Sequence, residues 1–237
     1  MKYLLLSAAL LGSALHSSFG STYTLDATSR GRYQNNGGRV TGNYIAGNAG
    51  SNEYYRDYFV FTLSSIPSGE TITSATLQLF NPSNGYNSAD AAETYTNFSL
   101  DSTSIPALTN GNGSNALNVP IYIDLGDGTA YSSGVTVSAA SNGTVVPILL
   151  NNSFLSYAQA NMGSSVALGG AITTLDANDN NNESIFGATG ATLSDTQLVI
   201  TTIPEPTTIG LWALSVIILG AVRRGSGLRL YRGRRNG

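Results

Sequence analysis

Tyr58-Phe59-Val60-Phe61-Thr62-Leu63, the turn Pro67-Ser68-Gly69, and Thr71-Ile72-Thr73-Ser74-Ala75-Thr76-Leu77-Gln78-Leu79-Phe80 together carry the strongest strand signal in the chain. The first run joins aromatic and β-branched residues, which fit a pleated, half-buried surface. In the last, Ala75, Leu77 and Leu79 alternate with Thr76 and Gln78, and a period of two puts each set on its own face of a strand. Asn81-Pro82-Ser83-Asn84-Gly85 closes it with turn-forming residues. On either side, further strands are expected over residues 23–28, 95–101, 119–125, 134–138, 145–149, 165–168 and 196–202. One helix is expected over 153–162, capped by Ser153, with Phe154, Tyr157, Ala158 and Met162 on one face. Short strands set apart by Gly, Asn, Ser and Asp predict an all-β chain, with a single β-sandwich or jelly-roll domain over residues 21–203.

Charge is divided unevenly along the 237 residues. Lys2 is the only lysine and His16 the only histidine, and there is no cysteine. From Ser21 to Glu205 the basic residues are Arg30, Arg32, Arg39 and Arg56, against all fourteen carboxylates, a formal charge of −10. Such a domain repels a phosphate backbone, so nucleic acid is not an expected partner. Without His, Cys or Lys, the same stretch cannot build a Ser-His-Asp or Cys-His system, a lysine nucleophile, or a His-ligated zinc or iron site. Only a carboxylate pair is left for acid–base work, from Asp57, Asp90, Glu93, Asp124, Asp127, Asp176, Asp179 and Glu183. Those residues are simply the ionisable groups present, so no enzyme is expected.

Both ends read as processing segments. In residues 1–20, Lys2 precedes a short apolar run, and Ser18 and Gly20 put small residues at −3 and −1 before Ser21, as signal peptidase requires. In residues 204–237, Pro204-Glu205-Pro206 is followed by an apolar run over 209–222, by Arg223 and Arg224, and by a basic tail. Two prolines within three residues stop a strand. The apolar run is shorter than the roughly 20 residues of a standard span, and can insert where the bilayer thins. The arginines would then stay cytoplasmic.

This order of Pro204-Glu205-Pro206, short apolar helix and arginine pair resembles the PEP-CTERM sorting signal of exported proteins from Gram-negative bacteria that make exopolysaccharide. The resemblance covers residues 203–235. It implies an exosortase as processing partner, a transient stay in the inner membrane through the tail, and delivery to the cell surface or extracellular matrix. It makes Pro204, Glu205 and Pro206 the recognition element, and Arg223 and Arg224 the topology lock. A second resemblance covers about 30 residues. Tyr55-Arg56-Asp57 before the strand, Leu63-Ser64-Ser65-Ile66-Pro67 after it and Ala75-Thr76-Leu77 in the next strand are similar to DNRLRE-type and carbohydrate-binding-like modules, which implies a β-sandwich.

Two binding constellations stand out. Asp176, Asn178, Asn180 and Glu183 offer oxygens along one loop, as a structural calcium ion would use; the spacing is not that of an EF-hand, and the same residues also suit a solvated turn. Asp124-Leu125-Gly126-Asp127-Gly128 is a weaker candidate that reads more simply as a hairpin turn. Tyr54, Tyr55 and Tyr58 cluster beside Arg56 and Asp57, a mixture able to stack on sugar rings, although tyrosine also packs well in sheets. The expected function is that of an exported structural or adhesive protein, with no cofactor beyond a candidate calcium. The alternatives are a carbohydrate-binding module for the producer's own polysaccharide and, less favoured, a carboxylate-based polysaccharide-processing enzyme.

Overall fold

In the computed structural model, which describes residues 20–50, 52–176, 182–187 and 192–205, the two deciding runs form β5 (Tyr54–Thr62) and β6 (Glu70–Asn81). They belong to different antiparallel sheets, and the chain is mostly β. The smaller sheet runs β1 (Ser21–Asp26), β12 (Thr196–Pro204), β6 and β9 (Thr144–Leu149). The larger runs β11 (Glu183–Ile185), β4 (Ala46–Asn48), β5, β10 (Ser165–Ile172), β7 (Glu93–Phe98) and β8 (Val135–Val137). Two more strands, β2 (Ser29–Gln34) and β3 (Arg39–Thr41), extend it from the other side of β5.

The alternation in β6 does what a period of two implies. Ala75, Leu77 and Leu79 are buried, and the residues between them are half-buried. Pairing of Leu77 with Ile148 and of Leu79 with Val146 brings the inward residues of β9 onto the same face. These side chains share one core with Phe59 and Phe61 of β5, Val166 and Leu168 of β10, and Leu198 and Ile200 of β12.

β5 is apolar on both faces because both are covered, as a strand buried on each side must be. Tyr58 and Val60 point away from the main core into a second one, with Tyr33, Leu108, Ile121, Leu125 and Ala167. Its cover is a pair of helices, α1 (Ile105–Asn110) and α2 (Asn115–Asp124). The end of α2 comes so close to β10 that a Cβ on Gly169 would stand 2.5 Å from the Leu125 carbonyl oxygen.

The expected strand over 119–125 is therefore corrected to helix. Asn118, Ile121, Asp124 and Leu125 are its buried positions, a spacing of three and four that fits one helical face, not a pleat. Packing against the sheet outweighs the strand preference of Val119, Ile121 and Ile123 and the presence of Pro120 inside the helix. The expected hairpin turn at Asp124 is the end of this helix. The third helix, α3 (Asn152–Ala160), lies where a helix is expected, but its cap is Asn151 rather than Ser153. Asn151 Oδ1 accepts the N–H groups of Ser153 and Phe154 at 3.0 and 3.3 Å. Phe154 and Ala158 enter the main core, as their shared face implies.

Gly20–Ile203 forms one compact unit. Among the described residues no helix is long and apolar enough to cross a membrane. The expected signal segment, the apolar run over 209–222, Pro206, Arg223 and Arg224 lie outside the described residues, as do Asn178 and Asn180.

Candidate functional site

β11 and the segment leading into β7 build an acidic cluster. Asn87 and Ser184 exchange backbone hydrogen bonds, each 2.8 Å long, and so hold residues 86–93 against β11. This lock brings Asp90 and Glu93 up to Glu183, and a carboxylate oxygen of each lies within 4.8 Å of the others. Glu93 and Glu183 are buried, and Asp90 is exposed.

The three carboxylates differ in what satisfies them. Both Glu93 oxygens accept hydroxyls, Oε1 from Ser88 at 2.7 Å and Oε2 from Thr174 at 2.6 Å. Glu183 Oε2 accepts the Asp176 N–H, at 3.3 Å. Glu183 Oε1 is enclosed and has no hydrogen-bond partner among the described residues. Burial, with Glu93, Asp176 and Asp90 close by, pushes the Glu183 carboxyl up against a lesser pull from the Asp176 N–H. The Tyr86 hydroxyl donates to the Asp90 carbonyl at 2.6 Å and fixes the near side of the cluster. Hard oxygen ligands carrying negative charge at this spacing are what a divalent cation takes.

Of the four residues of the expected calcium loop, Glu183 is in this cluster and Asp176 lies beside it, contributing its backbone N–H. Asp90 and Glu93 join from a distant part of the sequence. Their Asp-x-x-Glu spacing alone carried no sign of Glu183; only the pairing of Asn87 with Ser184 connects them.

Asp124 is already in use. Its carboxylate accepts backbone N–H groups from Asp101, Ser102 and Thr103, at 3.0 Å from the Asp101 N–H to Asp124 Oδ1 and 2.7 Å from the Thr103 N–H to Asp124 Oδ2. Burial alone would raise this carboxyl, but the Thr103 side chain and those three N–H groups outweigh it and hold it below its usual value. A carboxylate ringed by N–H donors ties down the segment after β7.

The tyrosines divide between faces. Tyr58 is fully buried with Tyr33, ring centroids 5.9 Å apart. Tyr55 lies beneath the Arg32 guanidinium, 4.2 Å from ring centre, and donates its hydroxyl to Glu53 at 2.6 Å. Tyr54 is half-buried, so the three rings do not share one exposed platform. Arg56 rides on the Tyr122 ring and donates to the Tyr122 and Ile123 carbonyls near the end of α2.

Asp57 is enclosed in the main core, where its Oδ1 accepts the Tyr95 hydroxyl at 2.7 Å. Asn97 donates to that hydroxyl and to the Gly169 carbonyl. All three side chains are sealed from solvent, so this network holds the sheet together and does not present groups to a substrate. β12 ends at Pro204, and Glu205 is exposed. No family model matches the chain, and no curated protein matches it.

Proposed function

We propose that the chain is an exported, non-enzymatic protein of the cell surface or exopolysaccharide matrix, delivered through a PEP-CTERM-type tail. Its two sheets, sharing one core, fit a β-sandwich in a structural or adhesive role. The observation that carries the reading is the order of segments: a signal-like stretch over 1–20, then a folded unit, then Pro204-Glu205-Pro206, an apolar run and arginines. The compact unit Gly20–Ile203 fills the interval between the two processing segments, which supports their separate roles. Exposure of Glu205 supports access by a protease.

The test is intact mass and localisation in cells with and without exosortase activity. Loss of both ends in normal cells is expected, with a tail-bearing precursor held at the membrane when the protease is absent. Glu205→Ala should trap the same precursor in normal cells while leaving the domain folded. Normal release of that variant would overturn the sorting reading.

A further inference from the structure

We propose that Asp90, Glu93 and Glu183 bind a calcium ion that fastens β11 to the segment entering β7. Three features carry the assignment. First, the ligand oxygens lie within 4.8 Å of one another, so a slight closing of the side chains brings all three to a Ca–O distance of about 2.4 Å from one ion. Second, Glu183 is buried to 1% exposure, turns its carboxylate toward the other two, and leaves Oε1 without a hydrogen-bond partner among the described residues. A buried carboxylate oxygen with no donor is costly unless a cation supplies the missing partner. Third, Glu93 is held by two hydroxyl donors, so its orientation toward the cluster is fixed before any ion arrives.

Among the described residues, the charges acting on Glu183 are all carboxylates. The four arginines of the domain are engaged elsewhere: Arg30 with Thr196 and the Tyr44 ring, Arg32 over Tyr55, Arg39 with the Thr109 carbonyl, and Arg56 at the end of α2. Calcium fits better than magnesium, because three carboxylates drawn from two strands and a loop suit flexible, oxygen-rich coordination, whereas magnesium keeps most of its water. The ion would join the outermost strand of the large sheet to its interior. The assignment stands apart from the sorting reading, since it concerns only the folded unit.

The experiment is thermal unfolding of the purified full-length chain, stripped with chelator and then titrated with calcium chloride. For a site in the range of about 10⁻⁴ M, 10 mM calcium should raise the midpoint by about 5–10 °C. Glu183→Gln removes a charge but keeps the shape. It should abolish the calcium response and unfold, without calcium, no lower than the parent. Asp90→Asn, at an exposed position, reads the same loss of response should the Gln variant fold poorly. Terbium(III) should show luminescence sensitised by Tyr86, displaced by calcium. The proposal fails if calcium moves the midpoint no more than sodium chloride of equal ionic strength, if magnesium matches calcium, or if Glu183→Gln still responds.

Discussion

Asp57 is a fully buried carboxylate in the main core, and its surroundings decide which form it takes. Burial pushes its carboxyl well above the ordinary value of 3.8, and the Tyr95 hydrogen bond pulls back only in part. Among the described residues Oδ2 accepts no hydrogen bond, which suits the protonated acid. The folded-state value lies above the unfolded one, so the stabilising contribution is complete below about pH 4. It is then lost as pH rises through the raised value. Asp57→Asn keeps the shape and removes the ionisation. Denaturant unfolding between pH 4 and 8 should show the parent losing stability relative to this variant as pH climbs. Parallel profiles would mean that Asp57 titrates normally in the folded chain. Tyr95→Phe tests the same network from the other side: leaving Oδ1 without its donor should cost about 1–3 kcal/mol.

Helix α2 shows what sequence reading reaches and where it stops. The β5 and β6 runs were legible because their apolar residues sit on the faces that the sheets bury. Residues 119–125 carry the same β-branched types, and nothing local says that they lie on top of a sheet instead of within one. The deciding fact is long-range: Ile121 and Leu125 find Tyr33, Tyr58 and Val60 beneath them. The same limit applies to the acidic cluster, where the sequence marks Glu183 as a candidate ligand but gives no sign that Asp90 and Glu93 are its neighbours. Their proximity depends on the Asn87–Ser184 pairing, which no spacing encodes. β2, β3, β4 and β11 escaped notice for a related reason: they are short or rich in Arg, Gly and Asn, and gain their order from pairing, β2 and β4 with β5, β3 with β2 and β11 with β4. If α2 is held by close approach to β10, Gly169→Ala should push it outward, since its new methyl would meet the Leu125 backbone. The expected loss is about 1–3 kcal/mol in urea unfolding, as for other overpacked sites. A variant as stable as the parent would show that α2 can shift freely.

Over the folded unit as a whole, the imbalance of charge has a consequence that individual contacts do not reveal. Fourteen carboxylates face four arginines between Ser21 and Glu205. Arg32, Arg39 and Arg56 lie against rings and backbone carbonyls, so much of the positive charge serves packing and helix ends in place of neutralising acids. Salt normally has two opposed effects: it weakens ion pairs and it weakens repulsion. Here the second should win. Raising sodium chloride from 0.01 to 0.15 M shortens the screening length from about 30 to about 8 Å. With chelator present to keep the cation site out of play, stability at pH 7 should then rise by about 1 kcal/mol, or about 2–4 °C in the unfolding midpoint. Near pH 4 the carboxylates begin to protonate, repulsion fades, and the salt effect should shrink toward zero. A midpoint that falls with salt at pH 7 would mean that attractive pairs govern the surface, and that the arginines neutralise more acid than their ring and carbonyl contacts suggest.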